Sequence, residues 1–163
     1  MKVAICQINP TVGSLNKNKE KHLIWYEKAQ KSGAQLIVFP ELSLLGYPPQ
    51  DLLLRKKFIE EAHKAIVDLS ANFDIPTIIG STFFEKKNLY NSLFLIANKS
   101  IEKIYKKILL PTYDVFDEAR YFTPGDKPCV ASIKKDSKIY KIGFQICEDL
   151  WDYQYNRDLI REM

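Results

Sequence analysis

The run from Ala34 to Phe39 is short and almost wholly apolar, it is closed at once by Pro40-Glu41, and it lies between two segments with helical apolar spacing. A run of that kind reads as a strand buried on both faces, so the chain must supply cover above and below it. The rest of the sequence offers that cover in alternation. Lys2 to Ile8 reads as a strand ended by Asn9-Pro10. Asn16 can cap a helix running to about Lys31, with His22, Trp25, Tyr26 and Ala29 on one face and Gly33 as the stop. Beyond the strand, Leu44 to Pro49 is a loop, and Asp51 can cap a second helix carrying the stripe Leu54, Phe58, Ala62, Ala65, Ile66 and Leu69. Ile75 to Phe84 and Leu89 to Asn98 form strands around a turn at Glu85-Lys86-Lys87-Asn88. Ile101 to Ile108 is a shorter strand, and Pro128 to Lys134 pairs with Lys138 to Ile146 as a hairpin. A helix opens at Tyr153. Strand–helix–strand–helix followed by consecutive strands gives an α/β chain with a mixed sheet and helices packed on its face.

Composition narrows the function classes. The 163 residues make about one domain with a real core, and 46% hydrophobic with 27% charged residues is the balance of a soluble globular chain. The net charge of +4 is spread over scattered lysines and the pairs Lys106-Lys107 and Lys134-Lys135, with no basic helix face or aromatic ladder to engage nucleic acid. No apolar stretch approaches the roughly 20 residues that cross a bilayer. The N-terminus enters a strand directly, without the pattern of a signal peptide. Cys6, Cys129 and Cys147 are odd in number and far apart, which disfavours both a disulfide framework and a zinc site. The chain reads as cytoplasmic with reduced thiols, no metal and no membrane partner.

Three strand-like segments end on chemically active residues. Cys147 closes the run Ile139 to Ile146 and is followed by Glu148-Asp149-Leu150-Trp151; a sharp turn there exposes the sulfur, and a helix N-terminus after it would favour the thiolate. Glu41 follows Pro40 at the end of the second strand, and Lys107 lies four residues before Pro111. A cysteine, a glutamate and a lysine so placed form a set that hydrolyses carbon–nitrogen bonds. The loop from Pro111 to Lys127 is long for a compact domain, and loops of that length are usually functional. Plainer readings stand beside these. A cysteine at a strand end is often a buried hydrophobe. Glu41 can cap the next segment, Lys106-Lys107 can be a solvated pair, and Glu118 with Arg120 can staple the loop. Tyr113 either meets the substrate or covers the core. His22 and His63 both fall within helical periodicity, so a Cys–His dyad lacks a suitably placed base.

Taken together, Phe39-Pro40-Glu41-Leu42, Gly46-Tyr47-Pro48-Pro49-Gln50-Asp51-Leu52, Lys107-Ile108-Leu109-Leu110-Pro111-Thr112-Tyr113 and Cys147-Glu148-Asp149-Leu150-Trp151 resemble the nitrilase (carbon–nitrogen hydrolase) superfamily. Phe116 to Phe122, with Pro124-Gly125 and the acidic turn after the cysteine, resemble within it the N-terminal glutaminase domain of glutamine-dependent NAD synthetases. The resemblance runs the whole length of the chain. It implies an α-β-β-α sandwich with its C-terminal part missing, residues 1–163 being the N-terminal portion of one such domain. It implies Glu41, Lys107 and Cys147 as catalytic residues with Glu118 in support, and Tyr113 and Glu148 at the substrate. No cofactor is expected in this domain; ATP and magnesium belong to an absent synthetase domain of the same full-length chain. The complete protein is expected to form homo-oligomers.

The chemistry fits those residues. Cys147 would attack a carboxamide carbon while Glu41 takes the thiol proton, passes it to departing ammonia and then activates the water that cleaves the thioester. Lys107 and a backbone N–H after Cys147 would hold the oxyanion. The substrate is then glutamine or another small amide. The alternatives are a stand-alone amidase acting on a small linear amide and a non-catalytic nitrilase-like module. Loss of half the sandwich would leave Ile142, Phe144 and Ile146 partly exposed.

Overall fold

The computed structural model describes residues 1–135 and 137–163. Seven strands and three α-helices follow one another as β1 (Val3–Ile5), α1 (Leu15–Lys31), β2 (Leu36–Val38), α2 (Lys56–Ser70), β3 (Thr77–Glu85), β4 (Asn88–Ala97), β5 (Ser100–Lys106), β6 (Val130–Lys135), β7 (Lys138–Gly143) and α3 (Tyr153–Glu162) among the described residues. The first five strands form one sheet in sequence order, and β6 with β7 forms a separate hairpin. β1, β2 and β3 are parallel, with Ile5 opposite Val38 and Val38 opposite Ile78; β3, β4 and β5 are antiparallel. Parallel pairing follows from the helical crossovers α1 and α2, antiparallel pairing from the tight turns that follow β3 and β4.

Because strand residues alternate between faces, β3 and β4 feed two cores. Ile79, Phe94 and Ile96 join Ala62, Ile66 and Leu69 of α2 and Tyr26 and Ala29 of α1 on one side. Ile78, Leu93, Leu95 and Tyr105 meet Ala131 and Ile133 of β6, Phe144 and Ile146, and Tyr155 and Leu159 of α3 on the other. The sheet is thus covered by helices on one face and by the hairpin with α3 on the opposite face. Phe144 and Ile146 are buried in this second core, so their expected exposure is not found, while Ile142 is half-buried. The hairpin closes against the main sheet, each such side chain gaining about 1.5–3 kcal/mol by burial.

Other boundaries move for local reasons. β1 and β2 are three residues each, shorter than the apolar runs that contain them. α1 begins after Ser14 rather than Asn16, and its buried face is Leu15, Asn18, His22, Tyr26 and Ala29. Trp25 is turned outward with the Lys28 ammonium over its ring. Gln50–Leu54 forms a 3-10 turn, and α2 starts only at Lys56. Asp51 therefore caps nothing; its carboxylate accepts the Tyr121 hydroxyl at 2.7 Å, and Leu54 is exposed.

Candidate active site

Glu41, Lys107 and Cys147 each lie just past a strand, and the packing of the two sheets brings them together. Glu41 sits on the turn after β2, where Phe39 N–H still bonds to the Ile78 carbonyl at 2.8 Å. That turn folds back onto Gly80 of β3: a Cβ there would lie 2.3 Å from Leu42 N and 2.5 Å from Pro40 O. Only a residue without a side chain lets the backbone carrying Glu41 approach so closely. Lys107 follows β5, fixed by its N–H to the Asn91 carbonyl at 2.8 Å and by its carbonyl accepting Gly125 N–H at 2.7 Å.

The Lys107 side chain is fully buried. Its Nζ lies 2.8 Å from Glu41 Oε1 and 2.8 Å from Glu118 Oε2. Glu118 comes from the loop between β5 and β6, where its N–H bonds to the Pro111 carbonyl at 3.0 Å. Its partner is Lys107 and not Arg120, whose guanidinium instead faces Asp117 and Asp51. Asn91 Nδ2 donates to Glu41 at 2.7 Å, and the Tyr47 hydroxyl donates to Glu118 at 2.9 Å. Burial works against the charge on Lys107, but the two carboxylates outweigh it and hold its pKa above the ordinary lysine value. Burial pushes the Glu41 carboxyl up, with Lys107 opposing. A glutamate raised in this way is a better proton acceptor than an ordinary surface carboxylate.

Cys147 is exposed and opens a 3-10 turn, Cys147–Trp151, with φ at +45°. For a residue with a Cβ that conformation costs about 1–2 kcal/mol and marks a position held by its surroundings. The side chain lines a cleft of about 300 Å³ together with Glu41, over apolar walls from Val38, Ile78, Leu93 and Ile142. The thiol pKa is raised, first by burial and then by Glu41, against the pull of Lys107. The expected thiolate-favouring helix end does not prevail. Two carboxylates around one ammonium add to the effect of burial, so a base at hand would assist loss of the thiol proton.

Tyr113 and Glu148 meet each other: the Tyr113 hydroxyl donates to Glu148 Oε2 at 2.7 Å. Both line a second hollow, beside Leu110 and Trp151. His22 is a satisfied core residue, its ring bonded to the Asn18 carbonyl at 2.7 Å and Ser43 Oγ at 2.9 Å, and His63 is exposed. Cys6 is buried and Cys129 half-buried. Among the described residues, no cluster of three or more histidine, cysteine or acidic side chains is arranged to hold a metal ion.

Sequence reasoning missed Tyr47, Asn91, Tyr105 and Asp149. Asn91 had a visible signal, since a carboxamide inside the apolar run Leu89 to Asn98 must find a partner when buried. Tyr47 and Asp149 stand inside recognised motifs, but nothing local to either names the side chain it reaches.

The sequence profile of the carbon-nitrogen hydrolase family matches residues 2–159. A glutamine-dependent NAD(+) synthetase of Aquifex aeolicus is 42% identical over 155 residues, covering 93% of this chain and 26% of its own length. The Synechocystis protein of the same name is 40% identical over 162 residues, covering 92% and 28% respectively. The chain therefore spans about a quarter of the length of these relatives. Among solved structures, the glutamine-dependent NAD+ synthetase of Acinetobacter baumannii superposes with a TM-score of 0.91 at 35% identity, over 98% of this chain and 30% of that one. A nitrilase-superfamily amidase of Nesterenkonia shares the fold, with a TM-score of 0.83 at 18% identity over 99% of this chain and 61% of that one. Sequence match, shared sandwich and the order of its strand-end residues agree that the chain belongs to the carbon-nitrogen hydrolase family.

Proposed function

We propose that this chain carries the glutamine amidohydrolase half of a glutamine-dependent NAD synthetase, as the N-terminal portion of its glutaminase domain. The observation that carries the reading is the buried Glu41–Lys107–Glu118 cluster beside an exposed cysteine that lines the same cleft as Glu41, in a chain 42% identical to a protein of that name. Glu41 takes the Cys147 proton as sulfur attacks the glutamine carboxamide carbon. The oxyanion forms against Lys107, whose charge two carboxylates hold in place, and against a backbone N–H that follows the cysteine. Glu41 returns the proton to the leaving nitrogen, ammonia departs, and a thioester remains. Water, deprotonated by Glu41, then releases glutamate and restores the thiol. Oxyanion stabilisation of this type contributes about 3 kcal/mol per donor. Tyr113 and Glu148, which line the second hollow, would meet the polar α-substituents of the amino acid.

Nothing in this half-reaction calls for a cofactor. ATP and magnesium would serve the synthetase domain of the full-length chain, which would consume the ammonia to amidate nicotinate adenine dinucleotide. We place the protein in the cytoplasm and expect a homo-oligomer; among the described residues no helix is long and apolar enough to cross a membrane. The amidase likeness, at 18% identity, supports the fold alone. In the intact protein, an electrophilic glutamine analogue is expected to label Cys147 and spare Cys6 and Cys129. Cys147→Ala should abolish glutamine-driven NAD synthesis and leave ammonia-driven synthesis. A label mapped to either other cysteine would overturn the assignment.

A further inference from the structure

Asp149 is fully buried, yet among the described residues no ion pair involves it. Its two oxygens instead collect donors from separate parts of the chain. Oδ2 accepts the Tyr105 hydroxyl at 2.6 Å and the Ile146 N–H at 3.0 Å; Oδ1 accepts the N–H of Leu109 at 2.9 Å and of Ile108 at 3.3 Å. Ile146 immediately precedes Cys147, and Ile108 and Leu109 immediately follow Lys107. The Asp149 N–H closes the same turn by bonding to the Ile146 carbonyl at 3.1 Å.

A buried carboxylate satisfied only by neutral donors is costly to keep unless its geometry is needed. Here one side chain ties the backbone that presents the nucleophile to the backbone that presents the ammonium. Those segments belong to different sheets, Lys107 to the end of β5 and Cys147 to the turn beyond β7, and among the described residues neither sheet pairs with the other. Cys147 also holds a positive φ that its own side chain disfavours, so its turn needs an outside anchor.

We propose that Asp149 is a positioning residue that sets the separation and orientation of Cys147 relative to Lys107, and that Tyr105 in turn fixes the Asp149 carboxylate. This rests on the hydrolase reading only for its turnover arm, because the placement of the sulfur can be read without any substrate.

The test uses the intact protein with Asp149→Asn, which keeps the size of the side chain but exchanges one acceptor for a donor, facing either the Ile146 N–H and Tyr105 hydroxyl or the Ile108 and Leu109 N–H groups. Turnover of glutamine should fall roughly a hundredfold in kcat, with KM changed less than about threefold, the cost of a misplaced reacting group. Alkylation of Cys147 by iodoacetamide, followed by peptide mapping, should slow by about tenfold or more while Cys6 and Cys129 react as before. A folded variant with wild-type alkylation rate and kcat would overturn the proposal. If Asp149→Asn does not fold, Tyr105→Phe carries the test, since it removes one donor to Asp149 and leaves the backbone ones. Slower Cys147 alkylation at unchanged circular dichroism supports the proposal, and an unchanged rate overturns it. Should the wild-type protein fail to hydrolyse glutamine, the proposed function falls, and the alkylation comparison still decides the role of Asp149.

Discussion

Lys107 is the residue whose surroundings most restrict what the site can do. Its ammonium has no solvent and two carboxylate neighbours at 2.8 Å, so its charge is fixed in place before any substrate arrives. A donor held in that way needs little reorganisation as an oxyanion develops. Lys107→Met should therefore lower kcat by more than about a hundredfold. The same change leaves Glu41 and Glu118 buried without their cation, so it should also destabilise the fold by about 3–5 kcal/mol. Steady-state kinetics and denaturant titration check the two arms; near-normal turnover would return Lys107 to a structural role. The sequence made this lysine visible through its place before Leu109-Leu110-Pro111, but not its burial. Only the fold distinguishes it from the adjacent Lys106, which pairs with Glu85 at the surface.

Two elements position Glu41, and each offers a test. The close approach of the Pro40–Leu42 backbone to Gly80 leaves no room for a methyl group. Gly80→Ala is expected to push the Glu41 turn away from β3, lowering kcat about tenfold or more with KM little changed; wild-type kinetics would refute the close contact. On the helix side, the His22 ring ties α1 to Ser43 in the same turn. Burial lowers its pKa to about 4 from an ordinary 6.5. The unfolded chain therefore binds a proton at higher pH than the folded one, and stability supplied by neutral His22 is present above about pH 6.5 and lost as pH falls toward about 4. The loss should reach about 3 kcal/mol. Urea titrations across that window should show a steeper decline for the wild type than for His22→Gln; parallel declines would mean the ring is not held neutral. The helical position of His22 is legible in the sequence, whereas its hydroxyl partner 21 residues away is not.

At the scale of the molecule, the second core is closed but its outer surface is not uniformly polar. Leu150, Trp151, Tyr153 and Ile160 are all more than 60% exposed on and beside α3. Large apolar side chains left exposed in one stretch of chain favour association. The 163-residue chain is expected to elute above its 18.9 kDa mass in size exclusion with light scattering, and Trp151→Ser combined with Ile160→Glu should shift it to the monomer. A wild-type chain that is monomeric at high concentration would contradict this.

Local pattern alone determined the alternation of strands and helices, the strand-end positions of Glu41, Lys107 and Cys147, and the exclusion of a histidine dyad, because each depends on periodicity or on nearest neighbours in sequence. Tertiary structure decided the rest. The partner of Glu118, the raised pKa of Cys147, the outward turn of Trp25 and the clamp made by Asp149 all depend on groups brought together from distant segments. Glu41 and Lys107 are 66 residues apart, and Asp149 reaches 44 residues back to Tyr105. Charge, burial and hydrogen-bond partnership are properties of such neighbourhoods, and they exist only once the two sheets have closed on each other.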